Sequence, residues 1–597
     1  MSTEIILLLG IILISGALYV AHLIATVIAT VVAWRRRIVI GILVAPAIVL
    51  LAWLAGVPMS WHLPAISGAA AAAMVWRRWT RNADRVNRWG QSGRRKAGVA
   101  SAIDVFRFAS AWSCRRKACI VRPSMAKLTR LQRARVPATE FAVRVAKVGI
   151  GRWVWTSREN VTLLFGAPRY GKSGTLAGQI IDAPGAVVAT STRGDLFETT
   201  CEQREKRGSV YVFNAVGLGD IPSTLMFDPL TNCKDPVAAF ERATDMMSTS
   251  DEGGAGGDRE WWEAQGRRVL AALMHAAALG DMTMNTVLAW VADPVANERI
   301  IASLLRESPQ PAYVQDVKQF VSTNERTRTS ITSSIMPSLG WLTSPAASAS
   351  ARPGATIDVE DLLRSNVTIY LIGAKETQSG PLVCALTGYL AREARRLAGF
   401  MPGGRLDPPL TFVLDEAAQL SPPLDDWTAD MGGRGVTILA AYQSRSQLLD
   451  RWSPAKAGTI MNNATRIMLF GGTKEKEDLE YWTTLGGDRD EEVVTTDEHG
   501  AIKSRTVRKV PVFIPAQIAN LAPATKGSPA RVILFGGGMP PALGSAQMLW
   551  QRRDVRWRIA RARVVRLLAW LRRHWPKREL APVISFTKKR PADDEAA

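Results

Sequence analysis

Cysteine is scarce in this chain, with five in 597 residues. Cys114, Cys119, Cys201, Cys233 and Cys384 follow no metal-ligand spacing, and the CxxxxC formed by Cys114 and Cys119 has no Cys or His partner nearby. This speaks against a disulfide framework or a zinc site, and the soluble part reads as reduced and cytoplasmic. A positive net charge is missing from the middle of the chain. Residues 1–160 carry 24 Lys/Arg against 5 Asp/Glu and residues 551–597 carry 14 against 5, whereas residues 161–550 hold 37 against 43, within a net charge of +22. The central part is therefore not a basic nucleic-acid binder by composition. At the two ends, attraction to anionic lipid or to DNA accounts for the charge.

The first 78 residues read as a membrane anchor. Residues 5–34 form an apolar run broken only by Ser15, His22, Thr26 and Thr30. It is too long for a signal h-region and lacks a basic n-region. A second run, 38–57, follows Arg35, Arg36 and Arg37, and a weaker Ala-rich run, 63–76, ends in Arg77, Arg78 and Arg81. With both arginine clusters inside, the expectation is three crossings, or two with an interfacial helix. The chain would sit in the cell membrane as a multi-pass protein with everything after about residue 77 in the cytoplasm. Residues 79–150 alternate basic and apolar stretches without a site, so a solvated juxtamembrane region is expected.

Residues 161–176 read VTLLFGAPRYGKSGTL: an apolar strand, then Gly166, the spacers Ala167, Pro168, Arg169 and Tyr170, then Gly171, Lys172, Ser173, Gly174 and helix-compatible sequence. This order makes a phosphate-binding loop. A buried strand delivers the chain to a tight turn whose backbone N–H groups converge on phosphate oxygens, and the new helix adds its positive end. Lys172 supplies a charge for the β- and γ-phosphates of ATP and Ser173 a hydroxyl for Mg²⁺. The alternative is a chance match in a glycine-containing loop.

From residue 151 the pattern is α/β. Apolar runs predict strands at 161–165, 186–190, 210–213, 367–372, 410–414, 436–441, 466–470 and 531–535. Between about 232 and 354 the strand signal disappears, and helical spacing at 260–279, 297–305 and 313–322 predicts an inserted all-helical domain. Its paired Trp261 and Trp262 read as core rather than as a stacking platform. The strand 410–414 runs into Asp415 and Glu416. In P-loop ATPases such a pair puts the aspartate on the Mg²⁺ shell and the glutamate near the attacking water. The alternative is an acidic cap on the next helix. Gln443 stands just past strand 436–441, where its side chain would sense the γ-phosphate. The expected units are 1–78, 79–150, a RecA-like domain in two parts (151–231 and 355–548), the helical insertion 232–354, and a basic tail 549–597. In that tail Trp557, Val564, Leu568, Leu571 and Trp575 share one helical face, with Arg552, Arg553, Arg556, Arg563, Arg566 and Arg573 over much of the rest. It reads as a basic amphipathic helix for a membrane surface or an acidic partner, or as a solvated helix packed on the core.

The order of these pieces resembles the type IV secretion coupling proteins, the TraG/TraD-type conjugative DNA-transfer ATPases. It rests on the N-terminal spans, GAPRYGKS, STRGDL, FDPL, the helical insertion, LDEAAQL, GGRGVTILAAYQSRSQL and VPVFIPAQI. The resemblance implies a RecA-like P-loop NTPase assembling as a homo-hexamer with ATP and Mg²⁺ between subunits. Single-stranded DNA would arrive as a relaxase nucleoprotein, and relaxase and secretion-channel proteins would be its partners. Glu416 and Lys172 would be catalytic, Ser173 and Asp415 would hold the metal, Gln443 and Ser444 would match the family's Gln-Ser, and Arg434 would act on the neighbouring subunit's nucleotide. Two departures stand out: Pro168-Arg169-Tyr170 replaces a Gly/Thr/Ser-rich stretch, and Ser191 replaces the first carboxylate of the family's Asp-x-Lys-Gly-Glu-Leu. Two neighbouring functions share these features: a septal-type double-stranded DNA translocase, disfavoured by the large insertion and the lack of a winged-helix end, and a coupling ATPase for protein effectors only.

Overall fold

A computed structural model describes residues 98–149, 151–219, 221–248, 257–355, 357–373, 378–420, 423–496, 502–558 and 564. Val99–Asp488 with Pro511–Ala597 make one compact unit, and Met1–Gly98 with Arg489–Val510 a second. In the second unit the described residues other than Gly98 belong to a two-stranded ribbon of β10 (Asp488–Thr496) and β11 (Ile502–Pro511).

The first unit is organised by an 11-stranded sheet. Its strands are β1 (Ala142–Val148), β2 (Arg152–Ser157), β3 (Val161–Phe165), β4 (Val187–Ser191), β5 (Val210–Asn214), β6 (Thr368–Ile372), β7 (Leu410–Leu414), β8 (Val436–Tyr442), β9 (Ala464–Leu469), β12 (Ala530–Gly536) and β13 (Ala542–Ala546). They lie in the order β2-β1-β13-β12-β9-β3-β8-β7-β4-β6-β5. From β9 to β5 every pairing is parallel, and from β9 to β2 every pairing is antiparallel. Parallel strands need crossovers that bring helices onto both faces, so β3, β4, β6, β7 and β8 are buried at every residue. In β3 the pleat sends Val161, Leu163 and Phe165 into one core and Leu164 into the other.

On one face lie the helices Lys172–Asp182 and Asp195–Arg204, with Leu176, Ile180 and Leu196 joining the second core. The opposite face receives helix Gly380–Gly399 and a helical array between β5 and β6, built on the 23-residue helix Gly257–Leu279. Residues 269–278 of that helix are buried throughout, so the array has its own interior. The tryptophan pair divides: Trp262 packs against this core, while Trp261 is 51% exposed.

Two expectations change. Residues 142–148, read from sequence as part of a solvated region, form the buried strand β1, which pairs with β2 and β13. Arg144 and Lys147 stand three residues apart, and the register of β1 on β2 shifts between Arg144 and Ala146, so both turn toward the Trp153 ring, at 4.8 and 4.9 Å. The second change is a correction of localisation. Among the described residues no helix is long and apolar enough to cross a membrane, and this overturns the expected multi-pass placement in the cell membrane. The longest helices, Gly257–Leu279 and Gly380–Gly399, carry Glu263, Arg267 and Arg268, and Arg392, Glu393, Arg395 and Arg396. The apolar runs 5–34, 38–57 and 63–76, with the expected transmembrane helices, lie outside the described residues.

Candidate functional site

The carboxyl ends of β3, β8 and β7 form one edge, and the singled-out residues other than Arg434 gather there. Phe165 pairs with Tyr442, and the Gly166 N–H donates to the Tyr442 carbonyl at 3.3 Å, so Gln443 emerges beside the start of the phosphate-loop sequence. Position 166 at the start of the loop takes glycine because a Cβ there would stand 2.5 Å from the Phe470 Cβ. The loop closes at Gly171, whose φ of +107° is the left-handed region that favours glycine. Lys172 is buried and turns back into the loop, donating to the carbonyls of Gly166 at 2.5 Å and Ala167 at 3.1 Å. Burial lowers its pKa, while Asp415 and Glu416 oppose that shift by favouring its charge.

The helix opened by the loop is held from behind. Buried Arg158 donates to the Asp182 carbonyl at 2.9 Å, and buried Arg204 donates to the carbonyls of Ala183 at 3.0 Å and Gly185 at 2.8 Å. Arg207 reaches the Ala183 carbonyl as well, at 2.5 Å. Three guanidinium groups thus satisfy carbonyls around the helix C-terminus, where cations also suit the macrodipole. The N-terminal N–H groups at the other end face the strand edge. Burial lowers the Arg158 pKa to about 9 and the Arg204 pKa to about 10.

Ser173 donates to Asp415 Oδ2 at 2.7 Å, joining the helix start to the end of β7 two strands away. Asp415 is buried, and burial pushes its pKa up to about 6; the Ser173 hydrogen bond works against that rise, and Glu416 adds to it. Glu416 sits at φ +52°, an uncommon conformation for a side-chain-bearing residue. Its Oε2 accepts a hydrogen bond from Thr192 Oγ1 at 2.7 Å. Thr192 follows β4, which neighbours β7, so this partner comes from the sheet order, which sequence spacing does not reveal. Ser191, where a carboxylate was expected by resemblance, closes its own turn by accepting from the Arg193 N–H at 3.1 Å.

The unusual spacers also find a setting. Pro168 and Arg169 are exposed, and Arg169 has φ +68°. The Tyr170 ring lies on Gly471 and Gly472, where added Cβ atoms would come within 2.8 and 2.5 Å of it. Gly174 follows Ser173 in the first turn of the helix. Ser444 caps helix Arg445–Asn463, accepting from the Gln447 N–H at 3.1 Å, and Gln443 N–H donates to Gln447 Oε1 at 2.9 Å. Arg434 stands apart. It precedes the amino end of β8, and that strand, roughly 20 Å long, separates it from Gln443. There its side chain is 39% exposed beside Asp430 at 3.8 Å. The first residues of the tail run along the phosphate-loop helix, with Arg552 Nη2 on Asp182 Oδ1 at 2.8 Å and Nη1 on the Gly178 carbonyl at 3.2 Å. Arg552, assigned from sequence to the tail's basic face, is therefore an inward anchor, and most of the expected tail helix lies outside the described residues.

Residues 409–523 match the family model described as the TraM recognition site of TraD and TraG. Among solved structures, the chain is similar to the bacterial conjugative coupling protein TrwBdeltaN70 in its unbound monoclinic form. That match has 18% identity over 73% of this chain and 92% of that one, with a TM-score of 0.52. It is similar to the plasmid coupling protein TrwB in complex with the non-hydrolysable GTP analogue GDPNP (16% identity, 73% and 92% covered, TM-score 0.51). TrwB in complex with ADP and Mg²⁺ gives 17% identity, 68% and 90% covered, and a TM-score of 0.51. No curated protein matches the sequence. At these identities the structural likeness shows the fold, the mixed α/β architecture of TrwB, and with the family match it bears out the resemblance to TraG/TraD-type coupling proteins.

Proposed function

We propose that this protein is a coupling ATPase that recruits single-stranded DNA as a relaxase nucleoprotein and drives its transfer to a secretion channel by hydrolysing ATP. The observation that carries the reading is the 2.7 Å hydrogen bond between Ser173 and Asp415, which joins the end of a phosphate-binding loop to a carboxylate on a buried strand. A hydroxyl and a carboxylate meeting beside a loop lysine are a donor set suited to Mg²⁺. Ser173 and Asp415 would hold the ion, which when bound neutralises charge on the β- and γ-phosphates. The backbone N–H groups of Arg169, Tyr170, Gly171, Lys172, Ser173 and Gly174 line the phosphate cradle, and Lys172 exchanges its two carbonyl partners for phosphate oxygens; Gly166, Ala167 and Pro168 shape the start of the loop, since the first two N–H groups are taken by the Tyr442 and Gly471 carbonyls and proline has none.

Glu416 accepts the proton of the attacking water, and Thr192 holds that carboxylate until the water arrives. Gln443 reads the terminal phosphate from the end of β8. Arg434, on the far edge of the same sheet, acts on the nucleotide of a neighbouring subunit in a ring of six. The match to a TraM recognition site supports docking of a relaxosome protein on residues 409–523. Since the core is slightly acidic, DNA is met by local basic clusters. The test is ATP turnover by the purified full chain, alone and with single-stranded or double-stranded DNA, with Glu416→Gln as the blank. Stimulation by single strands is expected. Stimulation by duplex alone would move the reading to a double-strand translocase, and indifference to both would move it to protein cargo.

A further inference from the structure

The phosphate-loop reading leaves open what meets the rest of the nucleotide, and a glycine stripe on the helix bears on this. Gly171, Gly174 and Gly178 fall at i, i+3 and i+7, along one side of helix Lys172–Asp182 and its N-cap. The chain leaving β13 lies along that stripe. A Cβ on Gly171 would stand 2.8 Å from Met548 Sδ, one on Gly174 would stand 3.0 Å from both Met548 Sδ and Trp550 Cζ3, and one on Gly178 would meet Arg552 Nη1 at 3.8 Å. Met548 is fully buried beneath the loop. The segment is anchored at its end by the buried pair of Arg552 with Asp182, and at its middle by Gln551 Nε2, which donates to the Thr525 carbonyl at 3.0 Å.

Trp550 has a different setting from Met548. Its indole edge touches Gly174, its Nε1–H points to the same Thr525 carbonyl at 3.5 Å, and 43% of the residue remains exposed. The sheet order gives this position its meaning. Asp415 and Glu416 lie on the β8/β7 side of β3, whereas Trp550 follows β13, on the β9/β12 side. A triphosphate whose terminal phosphate faces Glu416 must send its nucleoside the other way, past the first helical turn at Gly174. We propose that Trp550 is the platform on which the base of the bound nucleoside triphosphate stacks, and that Gly174 is glycine so that the indole can reach that place. The proposal rests on the phosphate-loop reading and extends it to base binding. Since every base offers a π-face, the platform serves adenine and guanine alike.

The test compares two probes on the full chain, ATP and inorganic tripolyphosphate, the second carrying the phosphates without a base. Trp550→Ala is expected to weaken ATP about tenfold, within the range that base stacking on an aromatic ring gives. Tripolyphosphate should bind as before, and Trp550→Phe should recover most of the ATP affinity. Equal weakening of both probes would overturn the proposal and make Trp550 a support of the loop. Unchanged ATP affinity in Trp550→Ala would overturn it too. The failure of the underlying reading looks different, because the unaltered protein would then bind neither probe, and the platform would fall with it. Retained tripolyphosphate binding also shows that the variants are folded.

Discussion

The two halves of the sheet contribute in different ways. The parallel half, β9 to β5, places the loop lysine, the serine and two carboxylates at one edge, because parallel strands all present their carboxyl ends together and the crevice forms there. The antiparallel half, β12, β13, β1 and β2, cannot do this, since its strands alternate in direction. Its contribution is a strap, the segment from Met548 to Arg552, laid against the helix that the parallel half supplies. One half carries the proposed chemistry and the other bears on the shape of the nucleotide's path. Changes in the first should act on turnover, and changes in the second on affinity and stability.

The largest expected effect that would break this contrast is in the parallel half. Lys172→Ala should abolish phosphate binding and lower ATP turnover by roughly a thousandfold or more, since it removes the buried ammonium that turns back into the loop. Retained turnover would show that the edge is not the site. Arg434→Ala comes next: a trans-acting arginine is worth about a thousandfold in kcat or more, with nucleotide affinity unchanged, and normal turnover in the assembled variant would rule that assignment out. A smaller effect separates Asp415 from the rest. Its raised pKa of about 6 means that the empty protein takes up a proton there as pH falls through 6, and a protonated carboxyl no longer suits Mg²⁺. Mg²⁺-dependent nucleotide affinity should therefore drop about tenfold per pH unit below that point, and Asp415→Asn should remove the dependence. The same shift stabilises the empty fold on acidification, because the folded state holds the proton more tightly than the unfolded chain between about pH 4 and 6.

The smallest expected effect lies in the strap. Arg552→Ala should cost about 1–3 kcal/mol in thermal or denaturant unfolding, as the buried pair with Asp182 is lost. Arg144 Nη2, at 2.6 Å from Asp182 Oδ2, keeps that carboxylate paired and limits the loss. Turnover at saturating ATP should change little. A collapse of turnover would mean that the antiparallel half takes part in the chemistry.

This contrast also explains what could be read in advance. Strands buried on both faces are continuous apolar runs, so β3, β4, β6, β7 and β8 stood out, and each was expected within a residue or two of its place. β1 and β2 mix Arg144, Lys147 and Arg152 with apolar residues, and β13 is ALGSA, so those three carry no such run. The same limit applies to the site. Lys172, Ser173, Asp415 and Glu416 follow from order along the chain, because loop and strand-end chemistry is local. Thr192 opposite Glu416, the Gly471–Gly472 seat of Tyr170 and Trp550 beside Gly174 come from segments 224 to 376 positions away, and no spacing encodes them.

The sequence alone determined the glycine-bounded loop after β3, the carboxylate pair after β7 and the α/β pattern, since each depends on residues adjacent in the chain and on the period at which apolar side chains recur. Only the tertiary structure decided which strands neighbour one another. That ordering put Ser173 on Asp415, Arg434 on the opposite edge and the chain after β13 on the glycine side of the phosphate-loop helix, because hydrogen bonding between strands joins segments whose separation in sequence has no bearing on their distance in space.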